Sequence, residues 1–328
     1  MKNVKSRTKK SNIQKLIILA VLVVISAVVY MTFSINFTNP KFFAFSMKIR
    51  TPKLLAMLIA AFAIGGASIV FQSIINNTIV TPCLLGMNAL YTLIHTLTFF
   101  AFGSGSILAA NSNLAFFLDL IIMIFTAGFI YGYLFRQTNY NVLYVLLIGT
   151  VLSSFFGSIQ STMVRVMDPN EYEVLLVSLV ASFDNINSEI LLFGVIILAL
   201  LIFILRRDLA LLDVITLGKD QAINLGVDYD RCIRRLLIGV TVCIAVATAM
   251  VGPISFLGLI LANLSRQLLR TYRHTHLILG SALIGMMVLV AGQCVVEHVF
   301  SYTIPVSVFI TIGGGVYFLY LLVRQKNR

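Results

Sequence analysis

The sequence predicts an all-α, polytopic membrane protein with about ten transmembrane helices, and three observations carry that prediction. Of the 328 residues, 59% are hydrophobic and only 11% are charged, where soluble domains carry about a quarter charged residues. The apolar residues come in runs of about 20, the length of a helix that crosses a bilayer. The basic residues are concentrated in every second loop. Ten spans use roughly 200 residues, so residues 1–328 read as a single transmembrane domain with no room for a large soluble one. Unbroken apolar runs also exclude a porin-type barrel, whose strands alternate polar and apolar. A net charge of +12 would suggest nucleic acid in a soluble chain. Here it marks loop orientation, and no nucleic-acid partner is expected.

The elements follow in order. Met1 to Lys15 holds six Lys/Arg and no acid, and Leu16 to Phe33 is an apolar run too long for a typical signal-peptide core and without an A-x-A site after it. It is read as an uncleaved first span. A short loop with Lys41, Lys48, Arg50 and Lys53 precedes spans at 54–75, 83–102 and 114–135, separated by Asn76-Asn77…Pro82 and by Gly103 to Asn113. A fifth span covers 142–164. An acidic stretch then carries Asp168, Glu171, Glu173, Asp184 and Glu189, and within it Val174 to Phe183 is apolar but only ten residues long, the length of a re-entrant or interfacial piece. Span six is 190–205, and the polar segment 206–235 follows. Spans seven to ten are 236–252, 254–269, 277–296 and 305–323. In this arrangement both termini share a side, and 19 of the 24 basic residues lie on it. The positive-inside bias makes that side cytoplasmic.

Few residues have the pattern of a reaction centre. Cys83, Cys232, Cys243 and Cys294 form no C-x-x-C pair and read as small buried hydrophobes. His95, His274, His276 and His298 have no metal-ligand spacing, so no metal site is expected. There is no H-E-x-x-H, G-x-S-x-G or Walker A lysine, so no catalytic residue is assigned. Gly313-Gly314-Gly315 lies in the last apolar run, where it serves close packing or a break rather than a phosphate. Asp119 is the acid placed well inside a span, which costs roughly 2.5–3.5 kcal/mol on insertion scales. It is expected near the outer end of span four, hydrated or hydrogen-bonded, with ion coupling as the alternative. Residues 206–235 are the cytoplasmic segment with the most to say. Gly218 and Gly226 divide it into short helical pieces, and Ala222 with Leu225 would form a small apolar ridge, a docking surface if left uncovered.

That segment, "LLDVITLGKDQAINLGV", closely resembles the coupling loop of the FecCD-like permeases of iron-chelate and cobalamin ABC importers, the type II importer class. The resemblance extends from about residue 50 to the C-terminus. Arg50-Thr51-Pro52-Lys53 is similar to the family's R-x-P-R. "IGGASIVFQSIINNTIVTPCLLGMNA", "VGPISFLGLILANLSRQL" and "IPVSVFITIGGGVYFLYLL" follow in family order and spacing. Departures are Ala262-Asn263 for Pro-His, Gly292 or Gln293 for an Asp, Gly315 for a Pro, a missing Trp after span five, and Glu297-His298 near a family Arg.

The resemblance implies the type II ABC importer permease fold and a transport subunit that binds no cofactor of its own. ATP-Mg would be used by a dimer of cytosolic ABC ATPases. A second, homologous permease subunit, different from this one, would share the pathway, and an extracellular or periplasmic binding protein would deliver the ligand. It implies ATPase coupling through Leu217, Gly218, Gln221, Ala222, Leu225 and Gly226, and binding-protein docking through Arg50 and Lys53. Gln72, Asn77, Asn263 and Arg266 are polar groups that tie helices or line the pathway. The cargo expected is an iron–siderophore, with haem or cobalamin as the alternative. An ion-coupled secondary transporter, which would depend on Asp119, and a membrane-embedded enzyme stand behind these. The site implied is the bacterial cytoplasmic membrane.

Overall fold

The computed structural model of the chain describes residues 2–33, 40–106, 111–137, 142–184 and 186–326, and every regular element in them is helical. In chain order, α1 (Lys2–Thr32) and α2 (Pro40–Ile75) precede a 3-10 turn (Pro82–Leu85) and α3 (Met87–Phe102). Next come α4 (Ser112–Gln137), α5 (Val142–Val166), α6 (Pro169–Leu179), α7 (Ser188–Ile215) and the short α8 (Lys219–Asn224). The order closes with α9 (Tyr229–Val251), α10 (Leu257–Leu269), α11 (His274–His298) and α12 (Val306–Lys326).

Seven of these, α1, α2, α4, α5, α7, α9 and α11, are long and apolar enough to cross a membrane, and α3, α10 and α12 are shorter apolar helices. Each coincides with one expected span. The boundaries differ where charged residues extend helices instead of ending them. α2 begins at Pro40 rather than near residue 54 and runs through Pro52, so Arg50 and Lys53 are helical and not in a loop. Beside that proline, Thr51 Oγ1 donates to Met47 O at 2.7 Å, a bond typical of proline-containing membrane helices. α7 continues to Ile215 and α9 starts at Tyr229, which shrinks the polar segment expected over 206–235 to 216–228. Residues 107–110, Asn185 and the last two residues of the basic tail lie outside the described residues.

The ten-residue apolar piece is α6 plus an extended return. Asp168 caps α6, accepting from Asn170 N–H at 2.8 Å. After it, Ala181 and Phe183 are buried, Ser182 N–H donates to Val251 O at 3.0 Å, and Ser307 Oγ donates to Ala181 O at 2.8 Å. The segment is thus wedged between the end of α9 and the start of α12.

Packing centres on α2, which contacts α7, α9, α10 and α11, while α1 lies along α11, α4 along α9, and α3 between α4 and α5. α2 and α9 are the most enclosed spans; α1 and α5 are the least. Apolar burial cannot drive helices together inside lipid, so close backbone approach through small residues does that work. A Cβ on Gly65 would lie 2.9 Å from Ser281 Oγ and 3.1 Å from the Ser281 backbone. Ser281 Oγ donates to Gly65 O at 3.1 Å. Gly285 meets Leu261 and Ala61 in the same way, and Gly280 meets Leu269 and Ser265. These contacts pack α2, α10 and α11 into one block, with the closest backbone approach at Gly65. In the last span only Gly314 is constrained, against Phe256; Gly313 and Gly315 face open space.

Gly65→Val should therefore force α2 from α11 and cost about 1–3 kcal/mol, read as a lowered melting midpoint in detergent. Gly128→Ala, which meets nothing within 4 Å, should leave the midpoint unchanged.

Candidate functional site

Two sets of polar groups gather at opposite ends of the bundle. At one end lie the last turns of α7, all of α8 and the start of α11. α8 spans six residues between two glycines in conformations that a side chain resists. Gly218 has φ 108° and ψ 162°, essentially a glycine-only region. Gly226 has φ 81°; its N–H donates to Ile223 O at 2.9 Å, and Val227 N–H donates to Ala222 O at 3.0 Å. Those two bonds are the Schellman close of a helix, with glycine in the left-handed position. The ridge on this corner differs from the one expected. Ala222 is buried and anchors α8, whereas Leu217, Ile223 and Leu225 are each more than half exposed. Gln221 is exposed beside them. Ile223 was not among the expected contact residues, because on a six-residue helix the outward face depends on how α8 seats against α7 and α9.

The corner is clamped to the bundle by acids of α7. Asp213 Oδ1 accepts from the His274 backbone N–H at 2.9 Å and faces His274 Nδ1 at 2.5 Å. Asp208 lies 3.8 Å from Arg235 of α9. Nearby, Arg266 donates to Ser73 Oγ at 2.9 Å and to Gln72 Oε1 at 3.4 Å. Gln72 and Asn263 both donate to Thr78 O, at 2.8 and 2.9 Å. Asn77 Oδ1 accepts from Ile79 N–H at 2.9 Å. Gln72, Asn263 and Arg266 thus tie the end of α2 and the turn after it to α10, while Asn77 shapes the turn itself.

At the opposite end, Lys53 Nζ donates to Asp184 Oδ1 at 2.9 Å and lies 3.8 Å from Glu297. Tyr30 Oη donates to Glu297 Oε1 at 2.8 Å. Gln293 Nε2 reaches Asp184 at 3.3 Å and Glu297 at 3.2 Å, and Ser182 Oγ donates to Asp184 Oδ2 at 2.9 Å. Lys53 is only 6% exposed. This corrects its expected place among docking cations: a buried ammonium held by two carboxylates offers no charge to an outside partner. Removing one member of such a buried group leaves the others uncompensated. Arg50 is partly exposed, and its Nη1 donates to Tyr30 O and Phe33 O at 2.8 Å each, closing the carbonyl end of α1.

Asp119 is buried and lies 3.0 Å from His95 Nδ1, with Tyr91 and Phe99 rings flanking the imidazole. It is hydrogen-bonded as expected, through a histidine that spacing alone did not single out. Among the described residues, no three His, Cys, Asp or Glu side chains gather to hold a metal. α5 adds a feature without a sequence expectation. Thr150, Ser154, Ser158 and Thr162 are all exposed, each hydroxyl bonding a carbonyl three or four residues back.

Comparison with known proteins agrees with this arrangement. The model of the FecCD transport family matches residues 13–324. The petrobactin import system permease protein YclO of Bacillus subtilis (strain 168) is 41% identical over 278 residues, 85% of this chain and 88% of that protein. The petrobactin import system permease protein FatC of Bacillus anthracis is 32% identical, over 85% of this chain and 79% of its own. A solved chain, an inward-facing conformation assigned to the metal-chelate type of ABC transporter, superposes with a TM-score of 0.79. It covers 95% of this chain and 99% of that one at 23% identity, and so speaks for the fold. A family match over nearly the whole length, carried on this helical order, makes the chain a member of the FecCD transport family.

Proposed function

We propose that this chain is the membrane-spanning permease subunit of an ABC importer that carries an iron–siderophore into the cytoplasm. The observation that carries this reading is the α8 corner: an apolar patch of Leu217, Ile223 and Leu225 left exposed on a short helix fixed by two glycines. Exposed apolar residues rimmed by polar ones mark a partner surface. The partner is a cytosolic ATPase, which uses ATP-Mg and supplies hydrolysis, while this chain binds no nucleotide. The basic residues set the orientation, with α8 and both termini on the cytoplasmic side.

The other partners follow from the same reading. A second, homologous permease subunit packs on the exposed hydroxyl-bearing face of α5, where a polar face would otherwise meet lipid. A binding protein approaches the opposite end, near the partly exposed Arg50, whose charge steers more than it binds. Relatives named for petrobactin support ferric petrobactin as the first cargo to test.

Deletion of the gene should abolish uptake of radiolabelled ferric petrobactin in cells with intact ATP, and ATP depletion of wild-type cells should do the same; uptake that persists would remove this cargo. Gly226→Asp adds charge to the corner and strains its left-handed turn. It should lower uptake at least tenfold while the protein still inserts, and unchanged uptake would remove the docking role. Asp119→Asn still accepts the His95 N–H and should hold uptake within twofold. A complete loss there would favour an ion-driven transporter.

A further inference from the structure

The block of α2, α10 and α11 joins the two polar ends. α11 is one unbroken helix of 25 residues, about 36 Å long at 1.5 Å per residue. Its first residue, His274, is gripped by Asp213 through the backbone N–H at 2.9 Å and the ring Nδ1 at 2.5 Å. Asp213 lies two residues before the end of α7, at the base of α8. Leu212 and Ile215, on either side of it, are buried, so the base is set into the bundle. At the far end of α11, Gln293 and Glu297 join Lys53, which α2 of the same block contributes. Asp184 does not belong to the block. It sits on the extended return after α6, and its bonds to Lys53 and Gln293 cross from that return to the block.

We propose that Asp213 is the positioning residue that grips the α2–α10–α11 block, so that movement of the α8 corner is delivered as movement of the block against Asp184 at the opposite face. This rests on the reading of α8 as the ATPase contact. Gly65 packs on the Ser281 backbone, and Gly280 and Gly285 pack on side chains of α10 and α2, so the three helices are held closely as one block. Packed interfaces of this kind switch between discrete arrangements rather than deform smoothly. The outer pairs are then the place where the second arrangement differs, because they join the block to a segment outside it. Coupling between sites requires an element whose equilibrium both sites bias, and the block touches both.

The test uses the whole transporter, with its second permease subunit, ATPases and binding protein, in proteoliposomes supplied with ferric petrobactin. The quantity read is ligand transported per ATP hydrolysed. A residue needed only for folding lowers both rates with the amount of intact complex and leaves the ratio unchanged. Asp213→Ala should lower the ratio at least tenfold while hydrolysis stays within twofold. Asp213→Asn, which still accepts the backbone N–H, should keep at least a third of the wild-type ratio. His274→Ala, which keeps the backbone bond and loses the ring contact, should lower it about threefold and serves if Asp213→Ala does not assemble. Lys53→Met should lower the ratio at least threefold by removing the outer bond to Asp184.

Unchanged ratios in Asp213→Ala and His274→Ala would overturn the grip, and an unchanged ratio in Lys53→Met would overturn the outer half. Co-purification of the ATPase with each variant separates the two readings. Wild-type chain that retains no ATPase removes the docking reading and this inference with it. ATPase retained by Asp213→Ala with an unchanged ratio removes this inference alone.

Discussion

The contact of α2 with α11 at Gly65 and Ser281 sets the distances on which both polar ends depend. Lipid gives two helices no hydrophobic reason to meet. What holds them is dispersion over surfaces close enough for a hydroxyl on one helix to bond a backbone carbonyl on the other, as Ser281 does with Gly65. Once that spacing is set, Lys53 on α2 comes within reach of Glu297 on α11 at one end. Towards the other, α10 is held against the same pair, so Arg266 reaches Ser73. A wider gap at Gly65 would separate both sets.

Charge placement follows from the same low-dielectric setting. Isolated charges in a bilayer are costly, so those that are buried have partners. Lys53 has Asp184 and Glu297, Asp119 has His95, and the half-buried Arg266 has Ser73 and Gln72. None of these partners is near in sequence: Lys53 and Asp184 are 131 residues apart, and Arg266 and Ser73 are 193 apart. The exposed charges have looser company. Lys219 of α8 and Asp230 of α9, both about half exposed, lie 3.1 Å apart, and such surface pairs contribute little. The chain thus places its firm electrostatic links inside the bundle, while the α8 corner carries an exposed ion pair beside its exposed apolar residues.

Transport in this family joins ATP use on one side of the membrane to passage of a ligand through it, so a subunit needs one firm surface and one transmissible body. In the proposed function the α8 corner is the first: Gly218 and Gly226 bound the short helix that leaves Leu217, Ile223 and Leu225 exposed. The α2–α10–α11 block is the second in the proposed coupling, being the packed set of helices that touches both polar ends. α5 stands apart, held mainly by α3 and the 3-10 turn, with its hydroxyl-bearing residues exposed among the described residues.

Composition and hydropathy were enough to set the class of the molecule. Hydropathy located ten spans because a helix crossing lipid must be apolar along its length, and Gly218 and Gly226 marked the ends of a short helical piece in the polar segment, because glycine readily takes the positive φ found at both. Pairings were decided by the tertiary structure. Arg50 and Lys53 look alike in sequence, three residues apart on one helix, yet one closes α1 at a partly exposed edge and the other is buried among carboxylates. The direction each side points depends on which neighbour α2 meets. Hydropathy carries no term for that, since lipid and a neighbouring helix are equally apolar. The same limit hid His95 as the partner of Asp119, Asp213 as the grip on His274, and Ile223 as part of the exposed ridge in place of Ala222. Each is set by how distant segments pack, which a single strand of sequence does not specify.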